Sequence, residues 1–419
     1  MASQRLKNIL FYCLIVMVLN PYYTVAQTID IPKIKTVILK NNDDFFSKTI
    51  QPLKGSFTFS FDDVEGLQNE YYYLITHCEI DWTPSNLPTS YYIDGFNNMQ
   101  INNMENSFGT LQNYTHYEFS IPNEDTIITK SGNYLIQILN TEEDVVCERR
   151  LVIFENKLSV NLNISESRDL SSFNEKQAVS MVIRNNTLPI LFPNQEIKTF
   201  IFQNGDQQIK TPFLKPTFIN ENTYTYRPSN DSEFNAGNEF LSFDNNEILR
   251  NNRYVQASYR VDSYFNTILA TQKSRANTNY TYNPDINGDF IIRNHQSNLP
   301  ETEAEYSNVL FSLLSKEEYV NKKIYIYGAF NNYQFSDENK LSLDPTGTYL
   351  TCSLFLKQGF YNYNFVVLEN DEINNKTIGG SFFETENNYE ALVYFKPQNS
   401  FYYEVVGYGT GNSKKDIEN

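Results

Sequence analysis

Residues 350–367, Leu-Thr-Cys-Ser-Leu-Phe-Leu-Lys-Gln-Gly-Phe-Tyr-Asn-Tyr-Asn-Phe-Val-Val, decide the fold class. Leu350, Cys352, Leu354 and Leu356 recur at every second position. Tyr361, Tyr363, Phe365 and Val367 do the same beyond Gly359. A period of two puts alternate side chains on opposite faces of an extended strand, so each run offers one apolar face and one wetter face.

The same signature recurs along the chain. Phe57, Phe59 and Phe61 alternate with Ser56, Thr58 and Ser60, and Val179, Met181 and Ile183 alternate in the middle. Apolar spacing of helical period does not persist beyond a turn or two. The expected fold class is all-β, built of tandem immunoglobulin-like β-sandwiches with frequent turns. Glycine is scarce at 16, and runs such as Asn41-Asn42-Asp43-Asp44 replace it at turns, because Asn tolerates the left-handed backbone.

Residues 72–119 contain the one tryptophan, Trp82, and two of the three histidines, His77 and His116. An apolar run breaks at Thr83-Pro84-Ser85-Asn86, and a stretch rich in Tyr, Phe and Asn leads to a new strand at Tyr114. A connection of roughly 30 residues is uncommon and is usually functional or disordered. This one has aromatics to pack on itself and reads as an ordered surface. Trp82 either anchors the first sandwich beneath this loop or belongs to a partner-binding surface. Tyr91, Tyr92 and Phe96 read as exposed partner contacts, since aromatic side chains bury much area at low entropy cost.

Residues 1–26 read as a secretory signal. Arg5 and Lys7 form the basic start, Ile9 to Leu19 an apolar core too short to span a bilayer, and Thr24-Val25-Ala26 a small-residue cleavage site before Gln27. No cysteine stands at that site, so no lipid anchor is expected. The formal charge of −17 argues against nucleic acid, whose affinity comes from Lys and Arg on phosphates. Cys78, Cys147 and Cys352 remain after the signal. An odd count excludes a complete disulfide framework, a Cys78–Cys147 bridge is open in an oxidising compartment, and Cys352 reads as a buried thiol.

The order of strand signals divides the chain into a first sandwich at 27–157, a middle β domain at 158–302 and a C-terminal domain at 303–410. A polar tail, 411–419, reads as disordered. Strands are expected near 178–184, 197–203, 222–227 and 253–265. Asp285-Ile286-Asn287-Gly288-Asp289 lacks the paired ligands and distal Glu of an EF-hand and reads as a tight hairpin.

Catalytic patterns are missing from the sequence. It holds no G-x-S-x-G elbow, H-E-x-x-H, P-loop or dinucleotide fingerprint, and no cofactor or metal is expected. His77 and His116 read as hydrogen-bonded structural residues. Asp62, Asp63 and Glu65 offer the carboxylates of a glycoside hydrolase, but between a strand and Gly66 they read as a solvated turn.

Two resemblances add to this reading. Ile324-Tyr325-Ile326-Tyr327-Gly328-Ala329-Phe330-Asn331-Asn332-Tyr333, followed by Gly359-Phe360-Tyr361-Asn362-Tyr363-Asn364-Phe365, resembles the early-set, glycogen-binding type of immunoglobulin-like module. Tyr333 stands where that class carries a tryptophan, which weakens the carbohydrate implication. Over nearly the whole mature chain the sequence also resembles the type IX secretion system plug family of Bacteroidetes-type bacteria. The carrying residues are His77-Cys78-Glu79-Ile80-Asp81-Trp82-Thr83-Pro84-Ser85-Asn86-Leu87, Tyr92-Ile93-Asp94-Gly95-Phe96, Tyr114-Thr115-His116-Tyr117, Lys130-Ser131-Gly132-Asn133-Tyr134, Phe202-Gln203-Asn204-Gly205, Glu301-Thr302-Glu303-Ala304-Glu305-Tyr306 and Leu356-Lys357-Gln358-Gly359. The resemblance implies a non-enzymatic periplasmic plug for the periplasmic opening of the large outer-membrane β-barrel translocon. The competing expectations are a glycan-binding protein of a polysaccharide-uptake system and a periplasmic hydrolase.

Overall fold

The computed structural model describes residues 30–42, 49–319 and 321–414. The expected signal, 1–26, and the last five residues of the expected tail lie outside them. The described chain is all-β, as the alternation requires, with six sheets of four or five strands and a two-stranded ribbon.

The first unit is a sandwich. One sheet runs Ile34–Asn41, Phe57–Asp63, Thr115–Ile121, Met104–Asn106. The other runs Ile50–Pro52, Val145–Phe154, Gly132–Leu139, Tyr72–Cys78, Met99–Gln100. Phe57, Phe59 and Phe61 all point into its core, and the antiparallel register sets Phe59 against Phe119 and Phe61 against Tyr117. Those rings stack at 5.5 and 5.0 Å. Each buried ring contributes roughly 1.5–3 kcal/mol of transfer free energy, with stacking in addition.

The second unit is discontinuous. One sheet orders Leu158–Glu166, Lys176–Asn185, Thr223–Tyr226, Phe218–Asn220. Its partner orders Asp206–Lys210, Ile197–Gln203, Asn388–Phe395, Glu404–Asn412. Val179, Met181 and Ile183 fill the core between them. The last strand presses on Leu158–Glu166 through Gly409, where a Cβ would lie 2.7 Å from the Val160 carbonyl oxygen, so only glycine permits the approach.

The third unit is inserted between Asn235 and Asn388. Val255–Val261, Tyr264–Leu269, Tyr306–Leu314, Tyr349–Lys357 and Ser342–Leu343 form one sheet. Leu241–Asp244, Phe290–Ile292, Lys323–Tyr327 and Glu372–Asn374 gather on Gly359–Glu369 to form the other. Cys352, Leu354, Tyr361, Tyr363, Phe365 and Val367 share one core between these sheets.

Several boundaries therefore differ from the linear division. Strands between 241 and 292 belong with the third unit rather than the second, and strands between 388 and 412 close the second rather than the third. Alternation reports which face of a strand is apolar but not which sheet receives it. Residues 411–413 are ordered rather than part of a disordered tail: Glu404–Asn412 is a strand, and buried Ser413 accepts from the Asn387 N–H and donates to the Thr385 carbonyl. The expected strand at 253–265 is a hairpin of two. Asn287-Gly288 is a tight turn with both residues at positive φ, but it feeds one strand, Phe290–Ile292, instead of joining a paired hairpin.

Among the described residues, Cys78, Cys147 and Cys352 are free and buried. Cys78 lies opposite Asn133 and Cys147 opposite Ile138 on the intervening strand, so five residues of strand, roughly 17 Å, separate their positions. The Cys78–Cys147 bridge does not form for that reason. Among the described residues no helix is long and apolar enough to cross a membrane.

Candidate functional site

The sandwiches meet pairwise at three seams. Between the first and second units, Trp82, Cys78, Leu135 and Val152 pack against Phe200, Phe202, Leu392, Tyr394 and Val405. The backbone at Trp82 takes a positive φ of 69° in the turn after Cys78, which turns the indole onto this seam under the Arg150 guanidinium, 4.8 Å from the ring centre. The Tyr394 hydroxyl donates to Asn133 Oδ1 at 2.8 Å across the same boundary.

The seam between the first and third units is ionic. Asp62, 0% exposed, accepts from Lys357 Nζ, itself 1% exposed, at 2.7 Å. Its oxygens also meet the Tyr306 hydroxyl at 2.6 Å and His116 Nδ1 at 2.7 Å. Lys357 lies 4.1 Å above the Tyr114 ring. Burial by itself would raise the Asp62 pKa. The Lys357 charge and the His116 hydrogen bond outweigh it and hold the carboxyl below the usual range. Glu305 closes the seam by accepting from the backbone N–H groups of Leu111 and Gln112.

The third seam joins the second and third units. The Tyr327 hydroxyl donates to buried Asp206 at 2.5 Å, and burial pushes the Asp206 pKa up to about 6. Tyr333 packs 5.1 Å from Tyr327, centre to centre, and accepts through its carbonyl from Gln208 of the second unit.

These contacts correct several sequence readings. Asp62 and Asp63 are buried, not a solvated turn; Glu65 alone of the three is exposed. Asp63 accepts from Tyr71 at 2.7 Å and Asn69 at 2.8 Å. Asp62, His116 and Lys357 form a closed node shut off from solvent at Asp62 and Lys357, in which the buried His116 Nε2 has no hydrogen-bond partner. Tyr333 turns into the seam rather than outward as a sugar platform. His77 is buried, hydrogen-bonded to Ser85 at 2.8 Å, and burial lowers its pKa to about 4.

The four expected partner contacts separate. Trp82 is spent on the first seam. Tyr92 is buried in the first core, near His77 and Tyr134, so it is not an exposed contact. Tyr91 and Phe96 are exposed. Two exposed apolar residues near them, Ile127 and Phe401, escaped the sequence reading. Ile127 carries the outward phase of a three-residue strand too short for alternation to register, and Phe401 sits in a loop more than 270 residues away.

Comparison with known proteins bears on this architecture. A crystal structure of a hypothetical protein from Parabacteroides merdae ATCC 43184 superposes with a TM-score of 0.88 at 28% identity, covering 92% of this chain and 98% of that one. No curated protein matches. Residues 34–155, most of the first sandwich with its long loop, match the family model described as Type 9 secretion system plug protein 1st domain. The match makes the first sandwich similar to the first domain of that plug family, and it covers less than half of the chain.

Proposed function

We propose that this chain is a non-enzymatic periplasmic stopper that closes the periplasmic opening of the outer-membrane β-barrel translocon of type IX secretion. One observation carries the reading: each sandwich is locked to both others by a buried seam, with Trp82, Asp62–Lys357 and Asp206–Tyr327 at their centres. Three units tied pairwise cannot hinge freely, because bending at any one seam strains the other two. A stopper needs that stiffness, since a flexible string would thread into the opening it has to block. The burial of Asp62 and Lys357, which leaves the carboxylate no solvent-facing side, is in keeping with a non-catalytic role. Export by residues 1–26 would deliver the chain to the side of the membrane where the opening lies.

The glycan-binding alternative depends on an exposed aromatic at position 333. Tyr333 is engaged by the second unit instead, which weighs against it.

The test is affinity purification of the tagged full chain from detergent-solubilised outer membrane, with mass spectrometry, alongside a deletion strain. Co-purification of the barrel, and deletion cells that admit bulky antibiotics, are the expected results. Retention on insoluble starch or glycogen without the barrel would replace this reading by the alternative.

A further inference from the structure

One surface lies outside the six sheets, with its inner residues Ile93 and Ile128 in the first core. Ile93–Gly95 and Thr126–Ile128 pair only with each other, forming a two-stranded ribbon beside the first unit. The register places Ile93 opposite Ile128, both buried, and Asp94 opposite Ile127, both exposed. The Phe96 N–H donates to the Asp125 carbonyl at 2.7 Å, extending the ladder by one pair. Side chains directly opposite on antiparallel strands share a face. Asp94, Phe96, Asp125 and Ile127 therefore share the outward face, with Phe96 67% and Ile127 44% exposed. The apolar pair occupies one diagonal and the carboxylates the other. Among the described residues neither carboxylate has a cation within ion-pair distance.

Further exposed aromatics lie where the helical turn before the ribbon meets the second unit. Tyr91 packs on Tyr402 at 5.9 Å, and Phe401, next in the chain to Tyr402, is 86% exposed. Lys130 lies 5.2 Å over the Tyr91 ring at this end. From Ile93 to Phe96 the ribbon extends roughly 10 Å, with Tyr91 in the helical turn before it. An exposed apolar pair on a free-edged ribbon invites protein contact, and unneutralised carboxylates beside it select a partner by charge.

We propose that this outward face, centred on Phe96 and Ile127, is a docking surface for a protein face that presents apolar side chains flanked by Lys or Arg. The identity of that partner, the periplasmic rim of the barrel, rests on the proposed function above; the surface itself does not.

The experiment places a photo-crosslinking phenylalanine analogue at position 96 or 127 of the full chain in cells, with position 259, an exposed tyrosine on the third unit, as the control. Crosslinks from 96 and 127 to the barrel, and none from 259, are expected. Phe96→Ser with Ile127→Ser should lower barrel recovery roughly tenfold or more, as loss of an interface anchor does. Asp94→Asn with Asp125→Asn should flatten its salt dependence. Crosslinks from 96 and 127 to a different protein would support the surface and overturn the stopper. Absence of any protein crosslink at 96 and 127 would overturn the surface, whatever the wild-type chain recovers.

Discussion

Lys357→Met tests whether the ionic seam holds the first and third units together. The pair is 2.7 Å apart and both side chains are excluded from water, so solvent cannot screen an orphaned charge. At an effective dielectric of about 20 the Coulomb attraction at this distance is roughly 6 kcal/mol, much of it offset by the cost of burying both charges. Removing the lysine leaves that cost standing for Asp62, relieved only by Tyr306 and His116. The expected loss is about 3–5 kcal/mol. Adding Asp62→Asn removes the orphaned charge while keeping an oxygen that accepts from Tyr306, so the double variant should recover more than half of the loss. Urea unfolding measures both, followed by circular dichroism and by the emission of Trp82, which as the one tryptophan reports the adjoining seam. A single variant within about 1 kcal/mol of wild type, or a double variant no better than the single, would refute the reasoning. Because the Asp62 pKa is depressed in the folded chain, its stabilisation is present above the unfolded carboxyl value and disappears as pH falls through the lower folded one.

Other outcomes follow from the same contacts. His77, whose pKa drops to about 4 on folding from about 6.5 unfolded, favours the neutral folded form. It should contribute up to roughly 3 kcal/mol that is full above pH ~6.5 and lost as pH falls toward 4, and His77→Asn should flatten that slope in pH-dependent urea titrations. Asp206 has the opposite sign. Its pKa rises to about 6, so it costs stability as pH climbs from ~4 to ~6, and Asp206→Asn should raise the unfolding midpoint at pH 7 but not at pH 4. Trp82→Ala should cost about 3–5 kcal/mol by circular dichroism and speed proteolysis near Glu155–Lys157, where the chain passes between the first two units. Gly132→Ala would set a Cβ 2.5 Å from His77 Nε2, and a loss of roughly 1–3 kcal/mol in the same titration is expected; an unchanged midpoint would mean that the ring can move aside.

The sequence by itself determined the class of the fold and the inner face of its strands. Period-two alternation is a local property, so Phe57, Phe59 and Phe61 or Tyr361, Tyr363 and Phe365 name their core positions without knowledge of the partner strand. It also showed that residues 72–119 form an unusual segment, which lies within the 34–155 stretch similar to a plug first domain. Tertiary structure alone decided what covers the other faces. Asp62 lies on the wetter phase of its strand beside Thr58 and Ser60, and it is buried because Lys357, 295 residues away, descends on it. Tyr92 and Tyr91 are neighbours of one residue type, yet one fills the core and the other meets solvent, because a single helical turn ends between them and the ribbon. The return of Asn388–Phe395 to pair with Ile197–Gln203 is likewise invisible in strand order. Local patterning records how a segment divides its own surface between apolar and polar. Which distant segment then closes over the polar half depends on long-range pairing, and no periodicity within either segment encodes it.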